Sequence, residues 1–75
     1  MRKKTHNIGE YCEGGTVVLK WDGLTLNIDI TEYKKPKEVI HCERFHFVDK
    51  YKVTMWLENF TTPYYAEKVL KSVYA

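Results

Sequence analysis

The chain has 75 residues, a formal charge of +2, 44% hydrophobic and 29% charged residues, and an aromatic share of 15%. A chain of this size holds a single domain, burying only about 60% of the surface its unfolded form exposes. The balance is globular rather than disordered, and the net charge is too small to announce a nucleic-acid protein by itself.

Residues 1–15 read as a polar arm or a short edge strand, anchored by Ile8 and Tyr11 and ending in Gly14-Gly15. The arm opens on Arg2, Lys3 and Lys4, a basic cluster able to meet phosphates but equally at home in water. It lacks the apolar stretch of a secretion signal, and no run in the chain approaches a transmembrane length. A cytoplasmic protein without membrane contact is expected. The Asn59-Phe60-Thr61 glycosylation pattern is then accidental, and Cys12 and Cys42 are expected as thiols rather than a disulfide.

Residues 16–31, TVVLKWDGLTLNIDIT, write a β-hairpin. Asp22-Gly23 suits a two-residue type I′ turn, which sets Trp21 opposite Leu24. Val17, Leu19, Trp21, Leu24, Leu26, Ile28 and Ile30 then share one face, and Lys20, Thr25, Asn27 and Asp29 the other. Glu32 to Lys37 reads as a loop, because Pro36 removes a ladder donor; its Lys34, Lys35 and Lys37 form a second basic cluster.

A second hairpin is expected over 38–57, with strands at 38–48 and 51–57. A loop of Val48-Asp49-Lys50 puts Phe45, Phe47, Tyr51, Val53, Met55 and Leu57 on the apolar face. Cys42, Arg44, His46, Lys52, Thr54 and Trp56 then fall on the opposite face. A two-residue Asp49-Lys50 turn would instead move Arg44 into the core and strand Phe45 and Phe47 outside, which costs more. The chain closes with a helix at 62–74, with Thr62 as N-cap, Pro63 at the first position, and Ala66, Val69, Leu70 and Val73 at helical spacing. The expected fold is therefore α+β: an antiparallel sheet of four or five strands, two of its hairpins consecutive, packed on one face by a C-terminal helix.

No motif carries catalysis or a cofactor. Cys42 and His46 share a strand face about 13 Å apart at ~3.3 Å per residue, beyond the reach of a common metal ion or a proton transfer. His41 points to the other face, and there is no C-x-x-C. Gly14-Gly15 precedes a strand, not a helix N-terminus that would hold a phosphate. Neither an enzyme nor a metal protein is expected.

The surface remains. Arg44, His46, Lys52 and Trp56 on the uncovered sheet face, with Tyr64 and Tyr65 at the start of the helix, are the candidate partner-binding residues. A small binding module that inhibits or adapts a larger protein is expected, of the kind a virus or phage encodes as an accessory protein, and a homodimer would stabilise its small core. The alternative is single-stranded RNA or DNA binding, with bases stacked on Trp56 and phosphates met by Arg2, Lys3, Lys4, Lys20, Lys34, Lys35 and Lys37. Exposed Lys, Arg and Thr are ordinary on an uncovered sheet face, so this signal is modest.

Overall fold

A computed structural model describes residues 2–7, 14–32 and 35–74. Four strands, β1 (Arg2–Asn7), β2 (Gly14–Trp21), β3 (Thr25–Glu32) and β4 (Lys35–His46), form an antiparallel sheet in the order β1-β2-β3-β4. Two helices follow, α1 (Lys50–Leu57) and α2 (Pro63–Tyr74). The α+β fold read from the pattern is the fold observed.

The β2–β3 pair owes its register to alternation. Val17 pairs with Ile30, Leu19 with Ile28 and Trp21 with Leu26, and all six side chains are buried. The turn is wider than expected. Four residues, Asp22 to Thr25, separate Trp21 from its partner Leu26, and Gly23 stays out of the left-handed region. The Asp22 carboxylate accepts the backbone N–H groups of Leu24 and Thr25, each at 2.8 Å. Those two hydrogen bonds hold it below the usual carboxylate range. Leu24 therefore sits at the tip, 78% exposed, rather than opposite Trp21. A shift of two residues leaves every other side chain on its expected face, because strand period is two.

The basic start of the chain is strand β1, with Lys3 beside Lys20 and Thr5 beside Val18. Ile8, Tyr11, Cys12 and Lys34 lie outside the described residues, as does the structure of any Cys12–Cys42 pair. The expected loop at 32–37 is shorter than its composition suggests. Glu32 ends β3 and Lys35 already pairs with it, so Pro36 lies within β4. An edge strand tolerates this, since one side of its ladder has no partner.

The larger correction concerns 51–57. These residues form α1, not a strand of a second hairpin. Val53, Trp56, Leu57 and Phe60 stand at i, i+3, i+4 and i+7, so a helical stripe lies beside the strand-like alternation of Tyr51, Val53, Met55 and Leu57. Over so few residues the two periods cannot be told apart. The helix wins because it turns Val53 and Leu57 fully inward beneath the sheet. Tyr51 and Met55, expected in the core, are 76% and 54% exposed.

Under the sheet, Val17, Leu19, Trp21, Leu26, Ile28 and Ile30 meet Val53 and Leu57 of α1 and Ala66, Val69 and Val73 of α2. Phe45 and Phe47 pack against this core while Arg44 stays outside, as the preferred reading of β4 requires. An aromatic chain locks α1 beneath β4: Phe45 meets Trp56 edge-on at 5.8 Å, Trp56 meets Phe60 at 4.9 Å, and Phe60 meets His41 at 4.2 Å. Helix α2 lies toward the other edge, where His6 Nε2 reaches Ser72 Oγ at 2.9 Å. Its last residue ties back across the fold: the Tyr74 hydroxyl donates to the Phe47 carbonyl at 2.7 Å.

Candidate functional surfaces

With both helices on one side, the sheet keeps an uncovered face, and register alone lays out its side chains. Lys3 neighbours Lys20, Lys20 neighbours Asn27, and Asn27 neighbours Arg44, so one row crosses all four strands. The parallel row on one side is Thr5, Val18, Asp29 and Cys42; on the other, Thr25 stands beside His46. Arg44 Nε donates to the Asn27 side-chain oxygen at 2.9 Å, which lays the guanidinium across the face toward Lys20. Among the described residues, none of Lys3, Lys20 and Arg44 has a carboxylate within ion-pair distance.

Of the expected partner-binding residues, Arg44 and His46 are on this face. Lys52 and Trp56 are not, because α1 carries them to the other side. Trp56 is half-buried between Phe45 and Phe60, so among the described residues no aromatic ring other than His46 stands near the cationic row. Tyr64 and Tyr65 form a separate patch on the first turn of α2, their rings perpendicular at 5.2 Å. Lys68 Nζ sits 4.7 Å over the Tyr64 ring, and its hydrogen bond with Tyr64 raises its pKa. Of the basic residues, Arg2 and Lys4 are exposed on β1 but belong to the helix side of the sheet, opposite Trp21 and Leu19. Lys35 and Lys37 belong to β4, their side chains outside what the structure describes.

Cys42 is free and exposed on the open face. A hydrogen bond with Asp29, then burial, then the nearby Asp29 and Glu43 charges push its thiol above the ordinary value. Such a thiol is a poor nucleophile at neutral pH. His41, stacked on Phe60, is on the far side of the strand from Cys42, and Ile30 rather than a base is its neighbour. No group of three His, Cys, Asp or Glu among the described residues gathers as metal ligands. A cleft of about 390 Å³ opens at the hairpin end, lined by Arg2, Trp21, Asp22, Gly23, Phe47 and Val73. Its one carboxylate is already committed to the turn, so it offers a cation and rings but no acid–base pair.

Reading the 51–57 segment as a strand hid a further surface. On α1, Tyr51 and Met55 stand one turn apart, opposite the buried Val53 and Leu57, and Val48 precedes them at 82% exposure. Lys50 and Lys52 flank this stripe. Lys50 Nζ lies 5.1 Å over the Tyr74 ring, and Lys52 Nζ stands 4.0 Å from the Asp49 carboxylate. The signal was present in sequence as apolar residues on two opposite faces of one helical wheel, visible only once the segment is read at 3.6 residues per turn.

No helix among the described residues is long and apolar enough to cross a membrane. Comparison with protein-family models, with curated proteins and with solved structures finds no match, so these surfaces are read from their chemistry alone.

Proposed function

We propose that the protein is a non-enzymatic binding module that docks a larger protein through the outer face of α1. One observation carries the reading. Helix α1 is apolar toward the core, at Val53 and Leu57, and apolar toward solvent, at Tyr51 and Met55. A helix with two opposite apolar faces is normally covered on both, and among the described residues folding covers only one of them here. Val48, Tyr51 and Met55 supply an aliphatic, an aromatic and an adaptable thioether contact, the types that anchor interfaces. The flanking Lys50 and Lys52 favour a partner whose apolar groove is rimmed by acidic side chains.

In this reading the module works in the cytoplasm and occludes or adapts its partner, as a virus- or phage-encoded accessory protein does. Self-association into a homodimer would add stability to a core this small. The test is affinity capture from a host lysate with and without nuclease, comparing the wild type with a Tyr51→Ser/Met55→Ser variant. The expected result is a protein captured in nuclease-treated lysate, lost with the variant while its melting temperature stays unchanged. Capture that survives the double substitution, or that disappears on nuclease treatment, overturns the reading.

A further inference from the structure

The open face of the sheet lies apart from α1 and carries its own charged surface. We infer that the row Lys3, Lys20, Asn27 and Arg44 holds the phosphate backbone of a single-stranded nucleic acid, running across the strands without reading its bases.

The row is a product of register. Its residues come from four different strands and are far apart in sequence, yet each is the paired neighbour of the next. With adjacent strands ~4.8 Å apart, the row spans about 14 Å from Lys3 to Arg44. Three of its four members are cations, and all three lack carboxylate partners among the described residues. Asn27 is the exception that organises the row. Its oxygen takes the Arg44 Nε–H, which holds the guanidinium over Asn27 and, among the described residues, leaves the other donors of the fork available for a phosphate. Like charges on neighbouring strands repel, so Lys3 beside Lys20 is a cost to folding that a bound polyanion removes.

The neighbouring rows define the occupant. On one side lies Asp29, paired with Cys42 across β3 and β4, and its carboxylate repels a second phosphate chain there. Among the described residues the cations thus form one line rather than two, which suits one backbone and not the paired backbones of a duplex. Among the described residues, no tyrosine, tryptophan or phenylalanine shares the face with the row, because Trp56 and Phe45 are turned toward the helices. Base stacking, the usual source of affinity in single-strand platforms, is therefore missing. What remains is phosphate contact, which positions a strand but carries no sequence information.

The experiment is fluorescence anisotropy with labelled 12-nucleotide oligo-dT, oligo-rU and a mixed-sequence strand, at salt from 50 to 200 mM. Three neutralised phosphates predict a log–log salt slope of about −2 for single strands, so affinity falls roughly twentyfold across that range. The three strands are expected to bind within about threefold of one another, since phosphate contacts read no bases. Lys20→Gln lowers the slope by about 0.7, and Lys3→Gln/Lys20→Gln/Arg44→Gln removes binding. A Lys68→Gln/Lys71→Gln variant on α2, which removes two charges from a separate surface, is the control for charge loss and is expected to bind as the wild type does. Circular dichroism verifies that each variant is folded; if the triple variant is not, the Lys20→Gln slope decides. No binding by the wild type at 50 mM salt, equal loss in the α2 variant, or a strong preference for one sequence would each overturn the inference. None of these outcomes touches the α1 reading, which rests on different residues.

Discussion

The two helices of this protein solve the same packing problem with different grammars. In α2 the signals agree. Thr62 accepts the Tyr65 N–H at 3.4 Å, Pro63 starts the first turn, and Ala66, Val69 and Val73 go inward while Glu67, Lys68 and Lys71 stay outside. Glu67 and Lys71 add an exposed i,i+4 pair at 3.3 Å. In α1 the local signals are weak. Asp49 makes no side-chain cap bond, and the Thr54 hydroxyl donates back to the Lys50 carbonyl at 2.9 Å. Such a helix is held by what it packs against. The comparison teaches that α2 is specified locally, whereas α1 is imposed by the sheet above it and keeps an apolar outer face that folding does not use.

That contrast can be broken most severely at the core. Leu57→Ala removes a fully buried side chain from α1 and is expected to cost about 2–5 kcal/mol. In a domain this small that unfolds most of the population at 37 °C. Urea denaturation with a helix-sensitive signal measures it, and a loss below 1 kcal/mol would mean that α1 is not bound to the sheet.

The caps sharpen the comparison on a smaller scale. Thr62→Ala is expected to cost about 1 kcal/mol, since it removes the N-terminal bond of α2. Asp49→Ala should cost clearly less, because its carboxylate caps nothing and only faces Lys52 at 4.0 Å, an exposed pair of little worth. Equal losses at the two positions would erase the distinction between the helices.

The smallest effect is titrimetric and belongs to the seam between α2 and β1. Burial first, and the nearby Lys4 charge second, hold His6 below the ordinary value of 6.5. The Ser72 hydroxyl spends its proton on the Val69 carbonyl at 2.6 Å, so it is His6 Nε2 that donates to Ser72. The unfolded chain therefore takes up this proton first as pH falls. Stability from His6 is full above pH 6.5 and is lost as pH drops through its lower folded value. Melting temperature is expected to decline modestly between pH 7 and pH 5, and His6→Gln should flatten that decline. An unchanged slope in the variant would assign the pH response to another group.

Much of the fold was legible because two segments carry a single unambiguous period. The alternation from Val17 to Ile30 admits no other buried face, and the spacing of Ala66, Val69 and Val73 admits no strand. The faces of β4 were legible as well, since burying Arg44 would have cost more than burying Phe45. Where two periods overlapped, local reading failed. Val53 and Leu57 fit a strand and a helix equally, so Trp56 and Lys52 were assigned to a face they do not share with Arg44. Of the cationic row, alternation places Lys20, Asn27 and Arg44 on one open face, but Lys3 joins Lys20 only through the pairing of β1, which no short-range pattern encodes.

Side-chain chemistry along the chain thus determined which residues of the first hairpin and the last helix leave water, because transfer of apolar surface depends only on periodicity and composition. The tertiary structure decided the conformation of residues 50–57, the position of β1 at the sheet edge, and the meeting of Lys3, Lys20 and Arg44. Those outcomes depend on contacts between segments distant in sequence, whose free energy exists only once the sheet has formed.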